Sequence, residues 1–188
     1  MLRSPRLSAL LFLLTLLCFT LPFMTVTCGG QEVMRVTAMD QALGQDPWVA
    51  PELNEASAPS ERGSGAGWKW HMRALAAFAV AGIVLGLGAW RGWKGLVSAI
   101  LGILGVLDIM LLRVSTINSM RQELASGSSS DLGDLSGLIQ VHWGLGFWGM
   151  LLGFAFAALY NIYLVWSSRA AWDAHVGRTE SPPEPSWR

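Results

Sequence analysis

At 188 residues, 52% hydrophobic and only 14% charged, with ten Trp and 21 Gly, the chain is too apolar for one ordinary soluble domain, and an integral membrane protein accounts for all four figures. Thirteen Lys and Arg balance thirteen Asp and Glu, so net charge points to neither nucleic acid nor an acidic substrate. With Cys18 and Cys28 as the whole cysteine complement, there is no disulfide framework, no C-x-x-C redox pair and no structural zinc pattern.

Arg3 and Arg6 precede an apolar run from Leu7 to Val26. A cleaved signal peptide opens the same way, but this run exceeds the about 7–15 residues of a signal's apolar region, and no A-x-A site follows it. The expectation is an uncleaved first span over residues 7–26 behind a short N-terminal stretch, 1–6. If that helix carries on to Cys28, the two cysteines stand about 15 Å apart along its axis, beyond the ~7 Å Cα limit for a bridge. Thr27 stands where a lipoprotein would have a small residue before an acylated Cys28, so acylation is not expected. Pro22 frees the carbonyl of Cys18 and predicts a kink or an end to the helix there.

An outer loop over residues 27–71 follows. Gly29-Gly30 breaks the helix, Glu32 to Thr37 predicts a short strand, and Thr37 with Asp40 three residues later predicts a capping box opening a short helix that Gly44 closes. These make a small folded cap. From Pro47 to Gly67 the composition turns to Pro, Ser, Glu, Ala and Gly, a flexible loop without a core. Trp68, Lys69, Trp70, His71 and Arg73 then lead into a second span at residues 72–90, with the Trp residues as interfacial anchors.

The RGWK turn, residues 91–94, is so short that the third span, 95–113, must return antiparallel. Within its apolar run from Gly95 to Leu112 the single charge is Asp108. A carboxylate in hydrocarbon costs about 2.5–3.5 kcal/mol on insertion scales, so it should face other helices, find a partner or be protonated. Ile117, Met120 and Leu124 keep a helical spacing beyond Arg113, predicting an outer helical extension within 114–141. SGSSSDLGDLSG ends it in a mobile turn. A fourth span, 142–166, precedes a tail, 167–188, expected to be disordered.

The fold class expected is an all-α membrane protein, a four-transmembrane-helix antiparallel bundle with a small extracytoplasmic cap. Seven Lys and Arg lie on the side of the termini in short segments, and six are spread over two longer outer loops that also hold nine acids; this places the termini in the cytoplasm. Gly82 and Gly86, Gly102 and Gly105, and Gly149 and Gly153 recur at helix-packing spacing.

Asp108, His142, Arg73 and His71 fall at one depth towards the outer leaflet, a candidate intramembrane polar site. A metal site, a pair of haem ligands or a proton relay competes there with a structural tie. His71 and His142 stand beside Trp70 and Trp143, where amphipathic residues gather for solvation alone, so no metal or cofactor is expected. Asp108 reads first as a structural bond to His142, Arg73 or an outer-loop donor. One acid among four spans makes a thin transport pathway, with no broken helix pair to support it. H-E-x-x-H, G-x-S-x-G and P-loop patterns are absent, and no second catalytic group joins Asp108 in the apolar runs, so an enzyme is not expected.

The run Leu21-Pro22-Phe23, then Val26-Thr27-Cys28-Gly29-Gly30-Gln31 and Thr37-Ala38-Met39-Asp40-Gln41-Ala42-Leu43-Gly44, resembles a pattern in uncharacterised bacterial four-span membrane proteins. Ala38 stands where glycine is usual there. The resemblance implies a bacterial plasma membrane and carries no activity. The layout of a large first outer loop, a tight inner turn and a smaller second outer loop is similar in shape to claudin-like tetraspan proteins, whose Trp, Gly-Leu-Trp and paired-Cys signature is missing. The expectation is a structural or accessory protein of a membrane complex, partnered by the lipid bilayer and by other membrane proteins or itself, with no nucleic acid and no identified small-molecule substrate. The alternative is a small oligomeric transporter or channel-like protein using Asp108.

Overall fold

The computed structural model describes residues 5–51, 66–88, 92–126 and 139–179. Helix α1 (Pro5–Cys18) is followed by strands β1 (Pro22–Cys28) and β2 (Gln31–Thr37), helix α2 (Ala38–Leu43) and strand β3 (Trp48–Val49). Next come α3 (Ala66–Leu87), α4 (Gly92–Ser126), β4 (Ile139–Trp143) and α5 (Leu145–Thr179). The loop residues 52–65, the turn residues 89–91, the connection 127–138 and residues 180–188 lie outside the described residues. The flexible loop, the mobile turn and the last part of the tail expected from the sequence therefore fall largely outside it.

The first correction concerns the run read as one helix over 7–26. The helix stops at Cys18, and the chain enters a strand at Pro22. The N–H groups of Phe19, Thr20 and Leu21 bond carbonyls three residues back, at 3.1, 3.1 and 3.2 Å, tightening the last turn, and Pro22 has no N–H with which to continue. Hydropathy alone cannot separate a strand with a buried face from a helix, and within β1 it is Phe23 and Met24 that are buried.

The second correction enlarges the cap. Its short strand is one of four in an antiparallel sheet of order β3-β2-β1-β4. Gly29 and Gly30, with φ of +59° and +83°, make the two-residue turn between β1 and β2, a geometry that requires positive φ at both positions. β4, where the sequence reading has only an outer connection and the start of a span, pairs with β1 from Met24↔Trp143 to Cys28↔Ile139. Thus the two segments expected on the outer side are stitched into one sheet, and its central strand β1 follows α1 after the turn at 19–21.

The sheet has two chemically different faces. Val49, Met34, Val26 and Val141 form one row, and Val36, Met24 and Trp143 the next; Met24 and Val36 are buried. On the other face the row is Trp48, Arg35, Thr25 and His142, with Trp48, Arg35 and His142 exposed. A break in register between Pro22 and Met24 lets the consecutive Phe23 and Met24 both be buried, a use of irregular pairing that re-aims one side chain.

Of the expected capping box, α2 shows the N-cap bond. Thr37 accepts the backbone N–H of Asp40 at 3.1 Å, and Gly44 closes the helix in the left-handed conformation. Below the sheet, α1 packs against α3 and α5, and α4 packs against the same two helices. Phe12 meets Phe154 edge-on at 6.2 Å, and Phe23, Trp143 and Phe147 cluster where the sheet meets α5.

Among the described residues, three helices carry segments long and apolar enough to cross a membrane: Lys69–Leu87, Trp93–Ser119 and Leu145–Ser168. α1, at 14 residues, is about 21 Å long, short of the ~30 Å of a hydrocarbon core. α4 continues without interruption to Ser126, as the spacing of Ile117, Met120 and Leu124 predicts. α5 likewise runs to Thr179, so residues 167–179 of the tail expected to be disordered are helical. SSRAAWDAHVGR contains no Pro to stop it.

Candidate functional site

Asp108 finds its partner across the α3–α4 seam. His71 Nδ1 stands 2.6 Å from Asp108 Oδ1, with side-chain exposures of 33% and 17%. With the carboxyl ionised, Nδ1–H donates to it; with the carboxyl protonated, its O–H donates to Nδ1. The same separation serves both. Oδ2 is buried and has no hydrogen-bond partner among the described residues, so the pair satisfies one of the two carboxyl oxygens.

The other two residues of the expected cluster lie elsewhere. Arg73 donates from Nε to the carbonyl of Ala42 at 3.0 Å, and Lys69 Nζ is 3.5 Å from the carbonyl of Gly44. Two cations therefore hold the C-terminal end of α2, where unpaired carbonyls favour positive charge. His142 opens no span: it sits on edge strand β4, opposite Thr25 and exposed. Counting residues gives depth in a helix but not direction. Arg73 is only two positions from His71, yet two positions turn a helix by about 200°.

Beneath the pair the bundle interior is lined mainly by large apolar side chains. Ile109, Leu112, Met150, Phe154 and Phe12 are completely buried, and the Thr15 hydroxyl bonds the carbonyl of Leu11 at 2.8 Å. The glycines at packing spacing all meet a neighbouring helix. A Cβ on Gly86 would stand 2.8 Å from the backbone nitrogen of Ala9, one on Gly82 2.5 Å from the Phe12 ring, and one on Gly105 2.5 Å from the Phe154 ring. Gly102 faces the Ala158 backbone at 2.9 Å, Gly149 the Cys18 sulfur at 2.7 Å, and Gly153 the Thr15 hydroxyl. Such contacts require a missing side chain on one partner.

A second polar pair has no counterpart in the sequence reading. Ser8 and Asn161 are fully buried at the end of the bundle away from the sheet. Ser8 Oγ donates to Asn161 Oδ1 at 3.1 Å, and Asn161 Nδ2 donates to Ser8 Oγ at 2.9 Å and to the Ala157 carbonyl at 2.7 Å. A search for charges passes over an amide; the signal available was an Asn inside the last apolar run.

Both cysteines are free, Cys28 exposed and Cys18 half-buried. Among the described residues no cluster of three or more His, Cys, Asp or Glu could hold a metal ion. No protein family, curated protein or solved structure matches the chain.

Proposed function

We propose that this chain is a four-span integral membrane protein that serves as a structural or accessory member of a membrane complex, without an enzymatic activity of its own. The observation that carries the reading is that Asp108 is bonded within the chain by His71 above an interior filled by Phe12, Phe154 and Met150. Those side chains have no proton to pass on.

α1 supplies the fourth span. It runs antiparallel beside α5, Cys18 meeting Gly149, Thr15 meeting Gly153 and Ser8 meeting Asn161. The buried Phe19 and Phe23 continue its apolar path at the sheet end, where the helix is too short. The sheet lies outside a bacterial plasma membrane and both termini in the cytoplasm, following the distribution of Lys and Arg and the resemblance in the first loop.

One observation favours a second reading, a small oligomeric transporter: Asp108 Oδ2 lacks a partner among the described residues. Purified protein in liposomes separates the two. The structural reading predicts no proton or ion flux above empty vesicles, and an Asp108→Asn protein that folds normally because an amide still bonds His71. Flux that disappears in a normally folded Asp108→Asn protein establishes the transporter.

A further inference from the structure

α2 exposes two large apolar side chains one helical turn apart, Met39 at 41% and Leu43 at 62%. Its other flank is anchored: Ala38 and Gln41 are buried, and Met39 N–H bonds the Phe19 carbonyl at 2.9 Å. The tethers from Arg73 and Lys69 fix where this helix sits. Both cations belong to the outermost turns of the apolar segment Lys69–Leu87. Arg73 shares one exposed stripe of α3 with Trp70, Ala77, Val80, Val84 and Leu87, positions spaced by three and four residues.

Given the membrane reading proposed above, on which this inference rests, that stripe contacts lipid, and the C-terminal end of α2 is held beside it at the level of Trp70 and Arg73. We propose that α2 is an interfacial foot: Met39 and Leu43 enter the leaflet on the sheet side, and Arg73, its Nε fixed by Ala42, turns its remaining N–H donors to lipid phosphate. Lipid is the occupant because the patch continues a lipid-facing stripe and carries a cation at headgroup depth, the arrangement of a helix lying in a bilayer interface. Gln45 and Asp46, exposed just beyond Gly44, mark the water side.

The test places a nitroxide singly at positions 43, 45 and 84 in a Cys18→Ala/Cys28→Ser background, in nanodiscs holding one copy, and compares collision with oxygen and with a water-soluble nickel chelate. Position 43 should match position 84, with an oxygen-to-nickel ratio several-fold above that at position 45. A nickel-accessible position 43 beside a lipid-like position 84 overturns the foot and leaves the membrane reading standing; a nickel-accessible position 84 overturns both. Protection of position 43 from both reagents means that protein covers it, and also overturns the proposal. A photo-crosslinking residue at position 43 in the chain with its native cysteines provides the second measurement: phospholipid adducts by mass spectrometry are expected, and their absence, with adducts present from position 84, contradicts it.

Discussion

In the helices the buried positions include Ser8, Thr15, Ser98, Asn161 and the packing glycines, while Leu10, Leu14, Val84, Leu107, Leu152 and Leu159 are exposed. In the sheet the order is reversed: Met24 and Val36 are inside, and Arg35 and His142 outside. The helices follow the rule for a hydrocarbon solvent, where small and polar residues hold helices together because apolar side chains gain nothing by leaving the surroundings. The sheet follows the rule for water. On the membrane reading proposed above, one chain of 188 residues is built for two solvents, with the boundary where α1 turns into β1.

The sharpest way to break this comparison is to remove a bulky side chain from the interior and from the exposed face of the same helix. Phe154→Ala empties a site facing Phe12 and Gly105 and should cost about 3–5 kcal/mol in reversible unfolding from detergent micelles. Leu159→Ala, at a position 63% exposed, should leave that unfolding midpoint nearly unchanged. Equal losses would mean that Leu159 is covered and that the exposed face does not meet lipid.

A smaller effect is expected at the buried polar pair. Asn161→Leu removes both bonds to Ser8, and hydrogen bonds between helices in a bilayer average about 0.6 kcal/mol with a maximum near ~1.7. A double-mutant cycle with Ser8→Ala should return a coupling of that size. A coupling of zero contradicts the pair.

The smallest effect belongs to the water-facing side of the sheet. The hydrogen bond from Arg35 holds the Glu32 carboxyl below its ordinary range, with the attraction of the two charges adding to it and slight desolvation opposing it. A carboxyl lowered on folding adds stability that is present above its unfolded value and is lost as pH falls through the lowered folded one. The window is therefore acidic, and the effect slight, since both groups stand in solvent. In an NMR titration Arg35→Gln should move Glu32 upward; an unmoved Glu32 would contradict the bond.

Local signals were legible where chemistry is local. Thr37, Asp40 and Gly44 delimit α2 because capping is decided within a few residues, and the apolar spacing of Ile117, Met120 and Leu124 carries α4 past Arg113 for the same reason. β4 was not legible: five residues, IQVHW, become a strand only by pairing with β1, more than 110 positions away. The stretch around Phe23 and Met24 shows the converse failure, since buried apolar side chains do not say in which conformation they are buried. At the polar site the sequence singled out Asp108 and His71 as members of one cluster, but their contact depends on helix rotation, which depth along an axis does not contain. The same ambiguity placed Arg73 and His142 beside them.

If α1 carries the chain from one solvent to the other, the sheet and the far end of α5 lie on opposite sides of one membrane. The native Cys28, exposed at the end of β1, and a cysteine at the exposed Ser168 on α5, introduced with Cys28→Ser, are the two probes. In intact cells a membrane-impermeant maleimide should label Cys28 and should reach position 168 only after the membrane is opened. Labelling of both positions from the same side, without permeabilisation, would contradict the account.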